Sequence, residues 1–191
     1  VCTDFSAAAE HLSDNAPYDA FLLAPATYNV LNKFAQGIAD DLVTSMLSSA
    51  LGRHERDGTP VLAVPTMHGT MHNAILTESL QRLHSLGVTI LPPRQENGKN
   101  NLPSNDVLVA HLIRALSDAN LAGRRLLITG GPTPVRIDNV RLLTNRFTGG
   151  LAIEIAREAW FQRAQVQLIL GQGSLPTPPY LHVTRVPDYD T

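Results

Sequence analysis

The sequence has 191 residues, of which 43% are hydrophobic and 17% are charged, and its formal net charge is −2. These values indicate a soluble globular protein with one large or two small domains, and they exclude a strongly basic, nucleic-acid-binding surface. The single cysteine, Cys2, excludes an internal disulfide, and no signal peptide or long apolar segment indicates export or a membrane span. We therefore expect a cytoplasmic protein with no nucleic-acid or membrane partner.

Short apolar runs alternate with longer amphipathic runs along the chain, which is the pattern of parallel βαβ units. The predicted strands are residues 20–25, 60–65, 88–93, 125–130, 165–170 and 181–186. Helical spacing occupies residues 29–52, 73–87, 105–123 and 150–164. The predicted fold class is therefore α/β, with parallel sheets.

The polar segment "RQENGKNNLPSND", residues 94–106, has no apolar periodicity and is rich in Asn, Gly and Pro. Such composition favours a linker or mobile flap, so we predict one domain over residues 1–106 and a second over 107–191. The chain opens with "VCTDFSAAAEHLSD" and stops at "VPDYDT", just after a predicted strand. We expect from this that the sequence is truncated at one end or at both.

Small residues follow the first predicted strand in "APATYNVLNKFAQGIADDL", residues 24–42. They allow a ligand to approach the backbone, and Thr27 either caps the next helix or bonds a ligand. The adjacent acids Asp40 and Asp41 point about 100° apart on a helix, which favours a solvated face with one structural hydrogen bond over a catalytic pair.

The stretch "VPTMHGTMHN", residues 64–73, follows a buried strand, where ligands bind in parallel sheets. His68 and His72 are four residues apart and would share a helical face, as zinc ligands do. Gly69 stands where a metalloprotease has its glutamate, however, and no third ligand is obvious, so we predict no metal. The open alternatives are ordinary loop histidines, or His68 as a donor to a substrate.

A second glycine cluster lies in "LLITGGPTPVRIDNVRLLTNRFTGGLAIEIA", residues 126–156. Glycines at a helix start present free backbone N–H groups, which suit a phosphate, although they do not form GxGxxG. Arg136, Arg141 and Arg146 add positive charge that either attracts an anionic nucleotide or lies on a solvated loop.

In this order, "APATYNVLNKFAQGIADDL", "PTMHGTMHN" and "ITGGPTPVRIDNVRLLTNRFTGG" resemble the bifunctional coenzyme A biosynthesis flavoprotein family. That family joins phosphopantothenoylcysteine decarboxylase to phosphopantothenate–cysteine ligase. The resemblance implies a flavodoxin-like FMN domain that oxidatively decarboxylates phosphopantothenoylcysteine, lacking here its usual first strand. It further implies the start of a Rossmann-like ligase domain that uses CTP and Mg²⁺ to join phosphopantothenate to cysteine, in a homo-oligomer.

The resemblance also implies roles for single residues. His11 is the candidate catalytic base. His68 and Asn145 are the other candidate catalytic residues. Cofactor contacts carry over to Ala24, Pro25, Thr27 and Asn29, and substrate contacts to Pro65, Met67, His68 and Met71. In the ligase half, Asn145 corresponds to the asparagine that handles the acyl-cytidylate, and nucleotide contacts carry over to Gly130, Gly131, Asp138 and Arg141.

The sequence departs from the family pattern at two positions of the decarboxylase half. His68 replaces the asparagine of the substrate clamp, and "RQENGKNN" has no cysteine where the family carries its reductive cysteine. An imidazole donates and accepts on different nitrogens, so His68 cannot reproduce the bonding of an amide. Two alternatives therefore stay open: a flavin-dependent decarboxylase of another cysteine-containing substrate, such as a peptide C-terminus, and a non-catalytic relative that binds partners.

Overall fold

The computed structural model describes residues 17–188. By its own internal contacts the chain divides into two units, Val1–Ser104 and Asn105–Thr191. The α/β class predicted from the sequence is confirmed, since each unit contains a parallel sheet and helices. Within residues 17–188, no helix combines the length and the apolar composition needed to cross a membrane.

The first unit contains strands, helices and one 3₁₀ turn. In chain order they are β1 (Phe21–Ala26), α1 (Tyr28–Gln36), α2 (Leu42–Asp57), β2 (Val61–Pro65), β3 (Met67–His68), the 3₁₀ turn (Gly69–Met71), α3 (Ala74–Ser85), β4 (Thr89–Ile90), β5 (Arg94–Glu96) and β6 (Lys99–Asn101). A parallel sheet has the order β1-β2-β4, with Phe21 opposite Val61 and Leu62 opposite Thr89. Every residue of the central strand β2 is buried, as expected for a parallel strand with both faces covered.

Two helices form where the sequence pattern predicts one over residues 29–52. Helix α1 ends at Gly37, whose φ of 72° lies in the left-handed region that glycine adopts without strain. Asp41 then begins α2, because its side chain accepts from the Thr44 N–H while the Thr44 hydroxyl bonds back to the Asp41 backbone. Asp40 instead pairs with Lys33 at 2.7 Å. The adjacent acids are thus a cap and a surface ion pair.

Residues 94–101, predicted as a linker or mobile flap, form a β-hairpin, so they are not an irregular linker, and the flap stays a prediction. Strands β5 and β6 are joined by a turn in which Asn97 (φ 51°) and Gly98 (φ 71°) are both left-handed, as a two-residue hairpin turn requires. The hairpin extends to β3, giving a second sheet in the order β3-β6-β5. At Gly69 a Cβ would lie 2.5 Å from the Gly98 carbonyl oxygen, so only glycine fits where loop and hairpin meet.

The second unit has a parallel sheet and a separate small hairpin. In chain order its elements are α4 (Asn105–Leu116), β7 (Arg125–Gly130), β8 (Val135–Arg136), β9 (Leu142–Leu143), α5 (Gly150–Phe161), β10 (Gln165–Gly171) and β11 (His182–Val186). The sheet order is β11-β10-β7, and β8 pairs with β9 in the hairpin. Helix α5 packs on the sheet through Ala152, Ile153 and Ala156, which bury Leu168 and Leu170.

Candidate functional site

The carboxyl end of β1 leads directly into α1 and presents small and polar residues. Ala24 is half-buried and Pro25 is exposed. Thr27 is the N-cap of α1, with its Oγ1 accepting from the Val30 N–H at 3.4 Å, so its hydroxyl proton remains free to donate. Asn29 is exposed, and its side chain has no hydrogen-bond partner among residues 17–188. This corner therefore offers unused donors beside a helix N-terminus.

The loop after β2 presents His68 and Met71 and buries its other predicted contacts. Pro65 and Met67 are buried, and Met67 belongs to the core of the first unit, so both support the loop from below. Met71 is 41% exposed. Nδ1 of His68 accepts from the Thr70 N–H at 3.3 Å, which places the proton of the neutral ring on the outward Nε2. His68 is thus a hydrogen-bond donor at the surface of this loop.

Two bonds connect this loop with its neighbours, and the sequence did not indicate either. Tyr28 Oη, at the start of α1, lies 3.4 Å from Asn73 Oδ1 and 3.3 Å from Asn73 Nδ2, at the start of α3. Asn100 of the hairpin donates from Nδ2 to His72 Nε2 at 2.9 Å. The β1 corner, the loop of residues 66–73 and the hairpin are therefore bonded into one edge.

The spacing of His68 and His72 does not bring them together as ligands, because their ring nitrogens bond to Thr70 and Asn100. In the part of the chain that the structure describes, no group of three or more His, Cys, Asp or Glu residues is placed to hold a metal ion. The candidate base His11 lies outside the described residues.

The glycines of the second unit meet at the carboxyl ends of β7 and β10, where their backbones pack closely. A Cβ on Gly130 would overlap Ala152, one on Gly131 would overlap Ser174, and one on Gly171 would overlap the Pro132 carbonyl. Gly149, with φ of 70°, caps the start of α5 without a side-chain bond. These glycines allow β7, β10 and the start of α5 to approach one another more closely than side chains would permit.

The polar residues predicted to bind a nucleotide lie on the exposed hairpin and the segment after it. Asp138 accepts from the backbone amides of Val140 (2.9 Å) and Arg141 (2.7 Å), and the Arg141 guanidinium approaches it to 2.6 Å. The side-chain bond from Arg141, followed by these backbone bonds, holds the pKa of Asp138 below its usual value. Asn145 Oδ1 accepts from the Phe147 N–H at 3.0 Å, and its Nδ2 group has no partner in the described part of the chain.

This arrangement defines a parallel α/β protein whose candidate site residues lie near the carboxyl ends of its strands. The chain belongs to the flavoprotein family, whose model matches residues 2–117. The model of the DNA/pantothenate metabolism flavoprotein C-terminal domain matches residues 121–189. The flavoprotein match thus extends through α4, which the contacts group with the second unit.

Curated proteins of this family are similar to the chain over most of its length. The coenzyme A biosynthesis bifunctional protein CoaBC of Thermococcus kodakarensis is 38% identical over 160 residues, covering 83% of this chain and 38% of the relative. CoaBC of Escherichia coli is 31% identical over 183 residues, covering 92% of this chain and 43% of the relative. The chain thus spans less than half the length of these two relatives. They confirm the family resemblance stated from the motifs.

A solved structure of similar fold, the FMN-dependent cysteine decarboxylase SpaF, is 26% identical, with a TM-score of 0.45. The match covers 56% of this chain and 58% of that chain.

Proposed function

We propose that the protein acts in coenzyme A biosynthesis, and that its first unit is the FMN-dependent decarboxylase of phosphopantothenoylcysteine. The observation that carries the proposal is the bonded edge of the first unit. The Tyr28–Asn73 contact joins the corner proposed for the cofactor to the loop proposed for the substrate. A cofactor and a substrate that react with each other must lie side by side, and this edge offers both positions within one set of bonded loops.

FMN fits the residues at the end of β1. Ala24 and Pro25 present no long side chain, the Thr27 hydroxyl has a proton to donate, and the Asn29 amide both donates and accepts. Bound FMN would supply the two-electron acceptor that oxidative decarboxylation of a cysteinyl group requires. Thr27 and Asn29 would be the residues of this chain that hydrogen-bond to the cofactor.

The substrate would lie against the loop of residues 66–73. The outward Nε2–H of His68 is a donor for a carboxylate or carbonyl oxygen, and Met71 offers an apolar surface beside it. Pro65 and Met67 hold the loop from the core. His11 is the proposed base.

The second unit would contribute to CTP-dependent ligation of phosphopantothenate with cysteine. Backbone amides near Gly130, Gly131 and the start of α5 suit phosphate oxygens, and Mg²⁺ would accompany CTP. Arg141, oriented by Asp138, and the free Nδ2 of Asn145 would contact the nucleotide or the acyl group. A homo-oligomer in the cytoplasm is the assembly and compartment that we propose on family grounds.

The test combines flavin binding with product analysis on the purified protein, supplied with FMN and phosphopantothenoylcysteine. We expect flavin absorbance on the protein, CO₂ release, and an enethiol as main product, because the hairpin has no cysteine to return the electrons. Asn29→Leu should weaken FMN binding roughly tenfold, since hydrogen bonds to ligands contribute about 1.5 kcal/mol. Gln36→Leu, at the opposite end of α1, is the matched control and should bind FMN normally.

Each alternative outcome is distinct. A colourless protein that does not bind FMN would contradict the flavoprotein activity. CO₂ release from a peptide with a C-terminal cysteine, with none from phosphopantothenoylcysteine, would show the other substrate class. Pyrophosphate release from CTP in the presence of phosphopantothenate and cysteine tests the second unit, and Asn145→Asp should abolish it.

A further inference from the structure

The second unit contains an open cavity that none of the roles above uses. Its volume is about 650 Å³, and it is lined by the first residues of β7, β10 and β11 together with residues of α4 and the end of α5. All three strands are parallel, so the cavity lies at their amino ends. The glycine turn lies at their carboxyl ends, ~17–20 Å away along a strand of this length. The cavity is therefore separate from the proposed nucleotide site.

One wall of the cavity is aromatic. Trp160 and Tyr180 are stacked with ring centroids 4.3 Å apart and planes inclined by 27°. The Arg114 guanidinium lies over the Trp160 ring, 4.7 Å from its centroid. These contacts hold the rings in place, and a ring of a ligand can pack against the part of the aromatic wall that Arg114 does not cover.

The same wall carries positive charge that the protein does not neutralise. Arg114 donates to the carbonyl oxygens of Trp160 and Ala164, and Arg163 donates to the Arg114 carbonyl at 3.1 Å. Arg125 also lines the cavity. Among residues 17–188, no carboxylate pairs with any of these three arginines.

Burial, and then the charge of Arg163, hold the pKa of Arg114 below its usual range. An arginine stays protonated all the same, and no carboxylate among residues 17–188 balances this half-buried charge. An anion bound at the mouth of the cavity would relieve the repulsion and supply the missing partner.

We propose that this cavity binds a small organic anion with an aromatic ring, the ring lying against the Trp160–Tyr180 wall and a carboxylate or phosphate group bonding to Arg114 and Arg125. Gln167 and His182, which also line the cavity, add polar groups for the rest of the ligand. The site would bind an effector or a second substrate independently of catalysis at the strands' carboxyl ends.

The test uses Trp160, the single tryptophan of the chain, as reporter. Its fluorescence is followed during titration with AMP and with benzoate, which carry a phosphate and a carboxylate on a ring-bearing molecule. Adenosine is the ring without charge, and inorganic phosphate is the charge without a ring. We expect saturable changes with one or both ring-bearing anions and roughly tenfold weaker binding, or none, with adenosine and phosphate. The tighter of AMP and benzoate identifies the anionic group.

Arg125→Gln is the main variant, since the Arg125 side chain has no hydrogen bond among residues 17–188 that the replacement would break. It should weaken binding roughly tenfold. Arg114→Lys, which keeps the charge but loses the planar fork, should weaken it as well. Arg124→Gln removes a neighbouring charge that does not line the cavity, so this variant should bind the anions normally. Equal binding of adenosine and AMP, equal weakening by Arg124→Gln and Arg125→Gln, or no fluorescence change with any ligand would overturn the proposal.

Discussion

The two parallel sheets end in edges that are built in different ways. In the first unit, side chains bond across loops at the carboxyl ends of the strands: Tyr28 contacts Asn73, and Asn100 donates to His72 at 2.9 Å. In the second unit, the corresponding edge is built from backbone. Gly130, Gly131 and Gly171 lie so close to neighbouring atoms that no Cβ would fit.

The difference indicates how each edge would bind the ligand that we propose for it. Side chains that bond across loops fix the loops and leave other side chains, such as Thr27 and Asn29, free to select a ligand by its hydrogen bonds. A backbone edge offers N–H groups that suit the phosphate of any nucleotide, so under the proposed function selectivity there would come from side chains such as Asn145 and Arg141. Apart from Gly69, where only glycine fits, the first edge should therefore be most sensitive to changes of its bonding side chains. The second edge should be most sensitive to replacement of its glycines.

Replacement of Gly171 by alanine should lower the stability of the protein more than any other change proposed for the two edges. The new Cβ would overlap the Pro132 carbonyl, so backbone must move, and we expect the unfolding free energy to fall by more than about 3 kcal/mol. Gly52→Ala is the matched control: Gly52 lies in α2 with nothing within 4 Å of its Cβ position, and alanine there should stabilise by about 0.5–1 kcal/mol. Denaturant unfolding measures both. A Gly171→Ala protein as stable as the parent would show that the backbone edge is not closely packed.

Much of the fold followed from the sequence, since apolar runs of five or six residues gave five of the strands nearly at their bounds. The break between α1 and α2 did not, although Gly37 and the Asp41–Thr44 pair were both visible as helix-end signals. The hairpin was missed because polar composition outweighed the Asn97-Gly98 pair, which is the strongest short hairpin signal. The helix break and the hairpin thus depend on short local motifs, which hydrophobic periodicity does not detect.

The candidate site was less predictable than the fold. The motifs directed attention to Thr27 and His68, which lie at the expected strand ends. They could not show that Met67 is in the core, or that Asn100 and Tyr28 bond across loops, because those contacts join residues 28 and 45 positions apart. The cavity beside Trp160 had no sequence signal, since its lining comes from five separate elements.

The His72–Asn100 bond tests the side-chain edge, with a smaller expected effect. His72→Phe and Asn100→Leu, alone and together, form a double-mutant cycle in which the coupling energy should be about 0.5–1.5 kcal/mol. Hydrogen exchange at the amides of β6 should accelerate in each single variant and no further in the double variant. Additive effects, with unchanged exchange in β6, would show that the bond does not hold the hairpin to the loop.

The smallest expected effect is a pH dependence of folding stability caused by His111. It tests whether the second unit also depends on the chemistry of its side chains. The Nε2 atom of His111 is buried and has no hydrogen-bond partner among residues 17–188, and the ring contacts Trp160 edge-on at 5.1 Å. Burial, and then the charge of Arg114, lower the pKa of His111. The unfolded chain therefore takes up a proton below about pH 6.5 while the folded protein does not, so stability is fully present above that pH and decreases as pH falls toward the folded pKa.

His111→Phe should remove this loss, because phenylalanine keeps the edge-on contact and cannot be protonated. The difference in melting temperature between the variant and the parent should grow in favour of the variant as pH is lowered from neutral to about 5. His84→Phe, at an exposed position of α3, is the control and should leave the pH profile of the parent unchanged. A His111→Phe profile parallel to that of the parent would mean that proton uptake at other groups governs the acid sensitivity. The aromatic cluster at the amino end of the sheet would then contribute packing alone, and the second unit would depend on side-chain chemistry even less than its glycine edge indicates.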